Sequence, residues 1–418
     1  MRDVEGVIER VGGQGDGILS TGEGRFYVPF TVPGDRIAAR VGKAQGDGFA
    51  AEIHEILAPG PDRVDPVCEH YHVCGGCSLQ HWRESAYLDW KRDMVVQALA
   101  RRDLTNIDVA PTVAVPPGER RRGDLLARRV GKAVLLGLRE AGGNRIVDMH
   151  SCHVLDPRLV ALLPALRDLL ALVLAPGATA DVLLTVTDGG IDVALGGLPK
   201  LSGAQRMALT EFAGAHDLAR IGLLKPSDAI VTRRSPAVRF AGVPVTVAPG
   251  GFLQASPAAE AALAAEVFAA LGTARRVADL FAGAGTFTFG LAKNAVVHAI
   301  DSDAGLTAAL IAGANRAVLG GRVDAETRDL FRRPLTPAEL KKYDGVVFDP
   351  PRLGAREQAE QLAKSAVPVV VGISCNPSSF SRDARLLVDG GYDLARVVPV
   401  DQFRWTPHVE LAGIFRRR

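Results

Sequence analysis

Three things are scarce in this sequence. There is no excess of charge of one sign, since 49 Lys and Arg stand against 47 Asp and Glu for a net charge of +2. That total does not announce a nucleic-acid binder, although a balanced sum can hide a local basic face. No apolar run is clean enough for a membrane span: the longest, VALLPALRDLLALVLAPG from Val160, is interrupted by Pro164, Arg167 and Asp168, which a bilayer would tolerate poorly. It reads as an amphipathic helix. The opening MRDVEGVIERVGG carries acidic residues and no apolar core, so no signal peptide is expected and the expected location is the cytoplasm. Cysteine is the third scarcity, with five residues. In a reducing compartment these are expected to bind metal, to catalyse or to be buried rather than to pair. Cys68, Cys74 and Cys77 crowd into one loop, Cys152 stands apart, and Cys375 lies far downstream.

At 418 residues the chain exceeds one ordinary core. Residues 1–60 alternate short β-rich runs with Gly and Asp turns, the pattern of a small antiparallel barrel. PGPDRVDPV from Pro59 is a proline-punctuated linker into the cysteine loop. A helix is expected over about 84–102, packed on the C-terminal part of the chain despite its position. Residues 120–145 read as two strands with Arg120, Arg121, Arg122, Arg128, Arg129, Lys132, Arg139 and Arg145. Basic side chains interleaved with Leu and Val predict a charged sheet face of the kind that tracks phosphates. From about 241 the chain changes to strand-turn-helix units whose strands are continuous apolar runs, the mark of a mostly parallel sheet covered on both faces. The expected organisation is therefore α/β with three parts: 1–60, 61–240 (small, α+β) and 241–418.

In such sheets ligands bind at the carboxyl ends of the strands. ADLFAGAGTF places Gly283 and Gly285 after a strand, and HAIDSD ends the next strand in Asp301, positioned to accept from ribose hydroxyls. A dinucleotide fingerprint would need a third glycine where Thr288 stands. The strand also ends near Asp279, whose charge suits an ammonium better than a phosphate. S-adenosylmethionine, a sulfonium without phosphate, fits better than NAD. This set resembles the class I methyltransferase (Rossmann-like) fold, in which Asp329 of TRDLF would serve the adenine end.

FDPPRLGA follows a strand, and Asp349 precedes two prolines that fix a stiff turn. Enzymes that methylate exocyclic amines follow these prolines with an aromatic residue; Arg352 here argues for ring-carbon chemistry. Carbon 5 of uracil is a poor nucleophile until a thiolate adds at carbon 6. Cys375, just beyond the apolar strand VPVVVGI and before Asn376 and Pro377, is placed for that. The carbon 5 proton must then be removed by a base; DQFRWTPHVELAGIF offers Glu410, with His408 expected two residues away on the same strand face.

DLFAGAGTF, FDPPRLGA, SCNPSSFSRD and DQFRWTPHVE, in this order, resemble the bacterial RNA uracil-5-methyltransferase family, over nearly the whole chain. The resemblance implies Cys375 as nucleophile and Glu410 as base. It implies Gln254, Phe281, Thr286, Asp301, Asp329 and Asp349 as cofactor contacts, Thr286 standing where some members have asparagine. The N-terminal part then resembles a TRAM domain, an RNA-binding module. CEHYHVCGGC has the spacing C-x5-C-x2-C, with Cys152 as a distant fourth ligand. Four thiolates suit zinc or a [4Fe-4S] cluster, spacing does not decide, and His70, His72, His81 and His153 keep a mixed zinc site open. The resemblance favours [4Fe-4S]. It also favours ribosomal over transfer RNA as substrate, with no membrane partner and a monomeric enzyme. Methylation of cytosine carbon 5, which uses similar thiolate addition, and a non-catalytic RNA-binding iron-sulfur protein are the competing readings.

Overall fold

The structure, a computed structural model, describes residues 2–225 and 227–418. The glycine-punctuated start forms β1 (Asp3–Val7), β2 (Arg10–Val11), β3 (Gly17–Thr21), β4 (Gly24–Val28), β5 (Arg36–Gln45) and β6 (Gly48–Ala58), one sheet in the order β1-β5-β6-β4-β3-β2. It curls around a shared core of Val4, Ile8, Leu19, Phe26, Val28, Ile37, Ala39 and Ala51. Pairing is not purely antiparallel as expected: β4 and β6 run parallel, Phe26 opposite Phe49. The chain reverses at β5 and again at β6, so β6 regains the direction of β4 before pairing with it.

Helix α1 (Glu84–Ala100) follows the cysteine loop. A second sheet holds β7 (Arg122–Val130), β8 (Ala133–Gly137), β9 (Thr179–Thr187), β10 (Gly190–Gly196), β11 (Arg220–Leu224) and β12 (Ser227–Thr232), ordered β12-β11-β10-β9-β7-β8. Helices α2 (Pro157–Val173) and α3 (Gly203–Ala215) share its core. α2 buries Leu159, Leu162, Leu163, Leu166, Leu169, Leu170 and Val173, the three-and-four spacing of one helix face. Pro164 lies within the helix on its exposed side, so the missing N–H falls where water can serve the freed carbonyl. Among the described residues no helix is long and apolar enough to cross a membrane.

The arginine-rich stretch presents part of the basic face expected of it: Arg128, Lys132, Arg139 and Arg145 are exposed, whereas Arg120, Arg122 and Arg129 are half-buried. Arg121 is buried and pairs with Glu260 at 2.5 Å while donating to the Gln254 carbonyl at 2.9 Å. Arg122 donates to the Leu253 carbonyl at 3.2 Å, Arg120 to that of Arg122 at 3.0 Å, and Arg129 to that of Gly131 at 3.1 Å. Arg121 and Arg122 thus tie the second sheet to residues 253–260, and their donors are spent inside the molecule.

The hairpin β13 (Ala237–Phe240) and β14 (Val243–Thr246) and helix α4 (Pro257–Leu271) lead into the third sheet. Its strands are β15 (Arg276–Leu280), β16 (Val296–Asp301), β17 (Val323–Thr327), β18 (Gly345–Phe348), β19 (Val369–Ser374), β20 (Tyr392–Val400) and β21 (Glu410–Arg417). The helices between them are α5 (Thr288–Leu291), α6 (Ala304–Arg316), α7 (Pro337–Leu340), α8 (Arg356–Ala363) and α9 (Pro377–Asp389). The order is β17-β16-β15-β18-β19-β21-β20, parallel except for β21. Strand order reverses between β15 and β18, which opens a crevice at their carboxyl ends. Val95 and Leu99 of α1 join the core on the α8–α9 side of this sheet.

Candidate active site

The acidic and thiol candidates in the last third of the chain are delivered to that edge by strands. Asp279 lies in the last turn of pleat of β15, Asp301 ends β16, Asp329 follows β17, Asp349 follows β18 and Cys375 follows β19. β21 runs the other way, and its first residue is Glu410. The register pairs Ser374 with Leu411, so one step further along this ladder brings Cys375 and Glu410 side by side. A parallel strand ends where an antiparallel one begins, and that puts a thiol beside a carboxyl.

The carboxyls at this edge are crowded. Asp279 is fully buried; burial pushes its pKa up to about 7, with Asp349 and Asp301 adding to the rise and the Thr288 hydroxyl, donating at 2.6 Å, opposing it. Its Oδ1 is buried without a hydrogen-bond partner. Burial likewise lifts Asp349 to about 7, against a 2.9 Å donation from Gln254. Glu410, 3 % exposed, is raised well above the ordinary carboxyl value by burial and by the Asp349 charge. A sheet edge with an orphaned carboxyl oxygen and several reluctant anions is stabilised by a bound cation. The ammonium and sulfonium of S-adenosylmethionine supply that charge, so these residues fit the cofactor.

Amides link the carboxyls. Gln402 Nε2 donates to Glu410 at 3.2 Å and to Gln254 Oε1 at 2.9 Å, and Gln254 Nε2 donates to Asp349. Gln402 is buried and was not singled out in the sequence, although it lies inside the DQF motif. The loop after β15 is strained: Phe281 has φ 58°, Gly283 φ 55° and Gly285 φ 98°. A left-handed phenylalanine costs on the order of 1–3 kcal/mol and marks a constrained site. Asp301 holds this loop by accepting from Gly283 N at 2.9 Å. Phe281 meets Phe331 with ring centroids 5.4 Å apart, next to Asp329, which accepts from Phe331 N at 3.0 Å. Thr286 instead lines a separate cavity with Arg121 and Glu260.

Cys375 lines a cavity of about 200 Å³ with Trp90 and Gln97 of α1, Arg101 just after that helix, Arg10 from the N-terminal sheet, Arg352 and His408. Burial pushes the thiol up to about 11, reinforced by Glu410 and Asp349 and opposed by the backbone and Arg352. Asn376 caps α9, accepting from Ser378 N at 3.0 Å, and Pro377 starts the helix; such a cap is worth about 1 kcal/mol. Asn376 and Ser379 also donate to the Arg352 carbonyl at 3.2 and 3.0 Å, fixing the DPPR turn against the thiol. His408 is not on a strand with Glu410: it lies in the loop before β21, because the chain turns after β20 and does not re-enter the sheet until Glu410. Burial and the nearby Arg352, Lys91 and Arg120 lower its pKa.

The other four cysteines come together across 84 positions of sequence. Cys68, Cys74, Cys77 and Cys152 line one cavity of about 450 Å³ with His70 and His153. His72 packs on Phe30, centroids 4.7 Å apart, and His81 is buried against Tyr71, its pKa lowered to about 4 by burial. Among the described residues no three His, Cys, Asp or Glu side chains converge on a single ion position. Burial, then the other three thiols, push Cys77 up to about 12. Pro407 and His408 line this cavity and the Cys375 cavity alike.

Comparison with known proteins adds the family. Residues 322–418 match the family model described as tRNA (Uracil-5-)-methyltransferase. An uncharacterized RNA methyltransferase of Brucella suis is 45% identical over 98% of this chain and 97% of its own length. The 23S rRNA (uracil(1939)-C(5))-methyltransferase RlmD of Halomonas elongata is 32% identical over 97% of this chain and 87% of its own. The crystal structure of the Pyrococcus abyssi tRNA (uracil-54, C5)-methyltransferase with S-adenosyl-L-homocysteine superposes with a TM-score of 0.79, covering 99% of this chain and 100% of that one at 23% identity, a likeness of fold. With carboxyls gathered for a cationic methyl donor and a thiol beside a carboxyl at the strand ends, the chain belongs to the S-adenosylmethionine-dependent RNA uracil-C5 methyltransferase family.

Proposed function

We propose that Cys375 is the covalent nucleophile and Glu410 the proton acceptor in methylation of carbon 5 of a uridine in ribosomal RNA. The observation that carries this is the register that sets Cys375 beside Glu410, with Gln402, Gln254 and Asp349 in one hydrogen-bonded chain behind them. Cys375 Sγ gives up its proton to solvent, and the thiolate adds to carbon 6, opening the C5–C6 double bond so that its electrons move onto the carbon 4 oxygen. S-adenosylmethionine supplies an electrophilic methyl group and leaves as a neutral thioether. Glu410 then takes the carbon 5 proton; the C–H electron pair re-forms the ring double bond and the C6–S bond breaks, returning the thiolate. Gln402 orients the carboxyl. Asp279 and Asp349 would meet the donor's positive charge, Asp301 and Asp329 its ribose and adenine ends, and Phe281 with Phe331 its flat face. A uridine in folded RNA reaches Cys375 only when turned out of its stack.

Length-wide relatedness to a 23S rRNA enzyme favours ribosomal RNA, whereas likeness to the tRNA enzyme is one of fold. Cys68, Cys74, Cys77 and Cys152 would hold a [4Fe-4S] cluster: a single zinc needs four sulfurs within about 2.3 Å of one point, and these thiols surround a cavity instead. The cluster's contribution is structural, tying the cysteine loop to Cys152. The reading is tested by incubating the enzyme with rRNA and methyl-labelled S-adenosylmethionine and digesting the product to nucleosides. Label in 5-methyluridine is expected; label in 5-methylcytidine would overturn it.

A further inference from the structure

The loop between β20 and β21, residues 401–409, carries Gln402 and His408 and leads into Glu410. Its own side chains brace the middle: Thr406 Oγ1 donates to the Phe403 carbonyl at 2.7 Å and accepts from His408 N at 3.3 Å, and Arg404 pairs with Glu84 at 2.8 Å. Its ends are tied by α1, from more than 300 positions away in sequence. Lys91, with no exposed side-chain surface, spends its ammonium donors on this loop alone: the Asp401 carboxylate, the Phe403 carbonyl at 3.2 Å and the His408 carbonyl at 2.5 Å. One helical turn earlier, Tyr87 donates to Asp401 at 2.8 Å and accepts from Trp405 N at 2.8 Å. Two side chains on one face of α1 thus hold both ends and the middle of the loop.

A buried ion pair is a poor device for stability alone, because desolvating the charges offsets their attraction and a well-packed apolar pair does as well or better. What it specifies is geometry. Lys91 fixes Asp401, and the adjacent Gln402 is the donor that Glu410 receives; Lys91 also fixes His408, two residues before Glu410. We propose that Lys91 and Tyr87 are positioning residues for proton abstraction, setting through residues 401–408 where Gln402 and Glu410 stand relative to the covalently held base. This rests on the reading of Glu410 given above. The step affected is the last one, in which the carbon 5 proton passes to Glu410 and the C6–S bond breaks. Thiolate addition and methyl transfer precede it; Cys375 is delivered by β19, and Gln254 and Asp349 meet the clamped loop only through Gln402.

The test is single-turnover kinetics of the full-length enzyme with rRNA and S-adenosylmethionine, following methyl transfer by label and the covalent adduct on a denaturing gel. Lys91→Met removes the cation; Tyr87→Phe keeps the ring and is the variant to rely on if the first does not fold. Both are expected to transfer methyl at close to the wild-type rate yet release product about tenfold or more slowly, as small displacements of a catalytic group do, so that methylated adduct accumulates. A merely structural role would lower the active fraction without building up adduct, and that result, or wild-type release, would overturn the proposal. Glu410→Gln separates the premises. If it forms no adduct, the base assignment falls and the clamp with it; if it traps adduct while Tyr87→Phe does not, the clamp alone is wrong.

Discussion

Cys375 and Cys77 border two cavities that share Pro407 and His408 as lining, yet they are buried in different company. Burial raises both thiols, to about 11 and about 12. Around Cys375 the further opposition comes from two carboxyls, Glu410 and Asp349; around Cys77 it comes from three other cysteines. Each thiol waits for positive charge, but of a different kind. A lone thiol among carboxyls is activated when a cationic reactant arrives and is released when it leaves neutral, which is the cycle a nucleophile needs. Cys68, Cys74 and Cys77, each raised by burial and by neighbouring thiols, are suited to a resident metal centre that keeps them deprotonated.

Substitution at the two cysteines should therefore separate chemistry from folding. Cys375→Ser is expected to cost on the order of 10⁴-fold or more in turnover and to abolish the RNA adduct, with the melting temperature nearly unchanged. A melting temperature that falls as far as activity would erase the distinction. Cys77→Ser is the converse: the purified protein should lose its iron and sulfide and melt roughly 5 °C or more lower, while its folded fraction still forms adduct through Cys375. Stoichiometric zinc in the wild-type protein would remove the cluster from the comparison.

The smallest effect is electrostatic. Asp279 and Asp349, each lifted to about 7, are largely protonated in the ligand-free protein below that pH, and a bound cation favours their charged forms. Affinity for S-adenosylmethionine should thus rise by about three- to tenfold from pH 6 to pH 8, measured by titration calorimetry. S-adenosylhomocysteine, without the sulfonium charge, should show a weaker dependence. Equal slopes for the two would mean that the carboxyls do not face the sulfonium.

Much of the third sheet was legible because each chemical residue lies at the end of an apolar run, where parallel strands must deliver it: Asp301, Asp349 and Cys375 needed only a local pattern. Glu410 could be picked out, but its place beside Cys375 comes from the antiparallel register of β21, which no local pattern contains. Among the arginines of 120–145, Arg121 and Arg122 misled for a related reason. The stretch is basic in composition, but Arg121 meets Glu260 139 positions away, and a distant partner is invisible to a local count. Lys91 left a trace that could have been read: it interrupts the buried stripe of Tyr87, Val95 and Leu99 on α1, and a lysine in an apolar stripe asks for a buried acceptor. What that acceptor is, Asp401, only the fold decides.

The most direct test of the Cys375–Glu410 pair is the mass of denatured Glu410→Gln enzyme after incubation with rRNA fragment and S-adenosylmethionine. The expected result is a species equal to enzyme plus RNA plus one methyl group, less the proton lost from the thiol, with the modified peptide containing Cys375. Normal turnover with no such species, or an adduct on another residue, would contradict it.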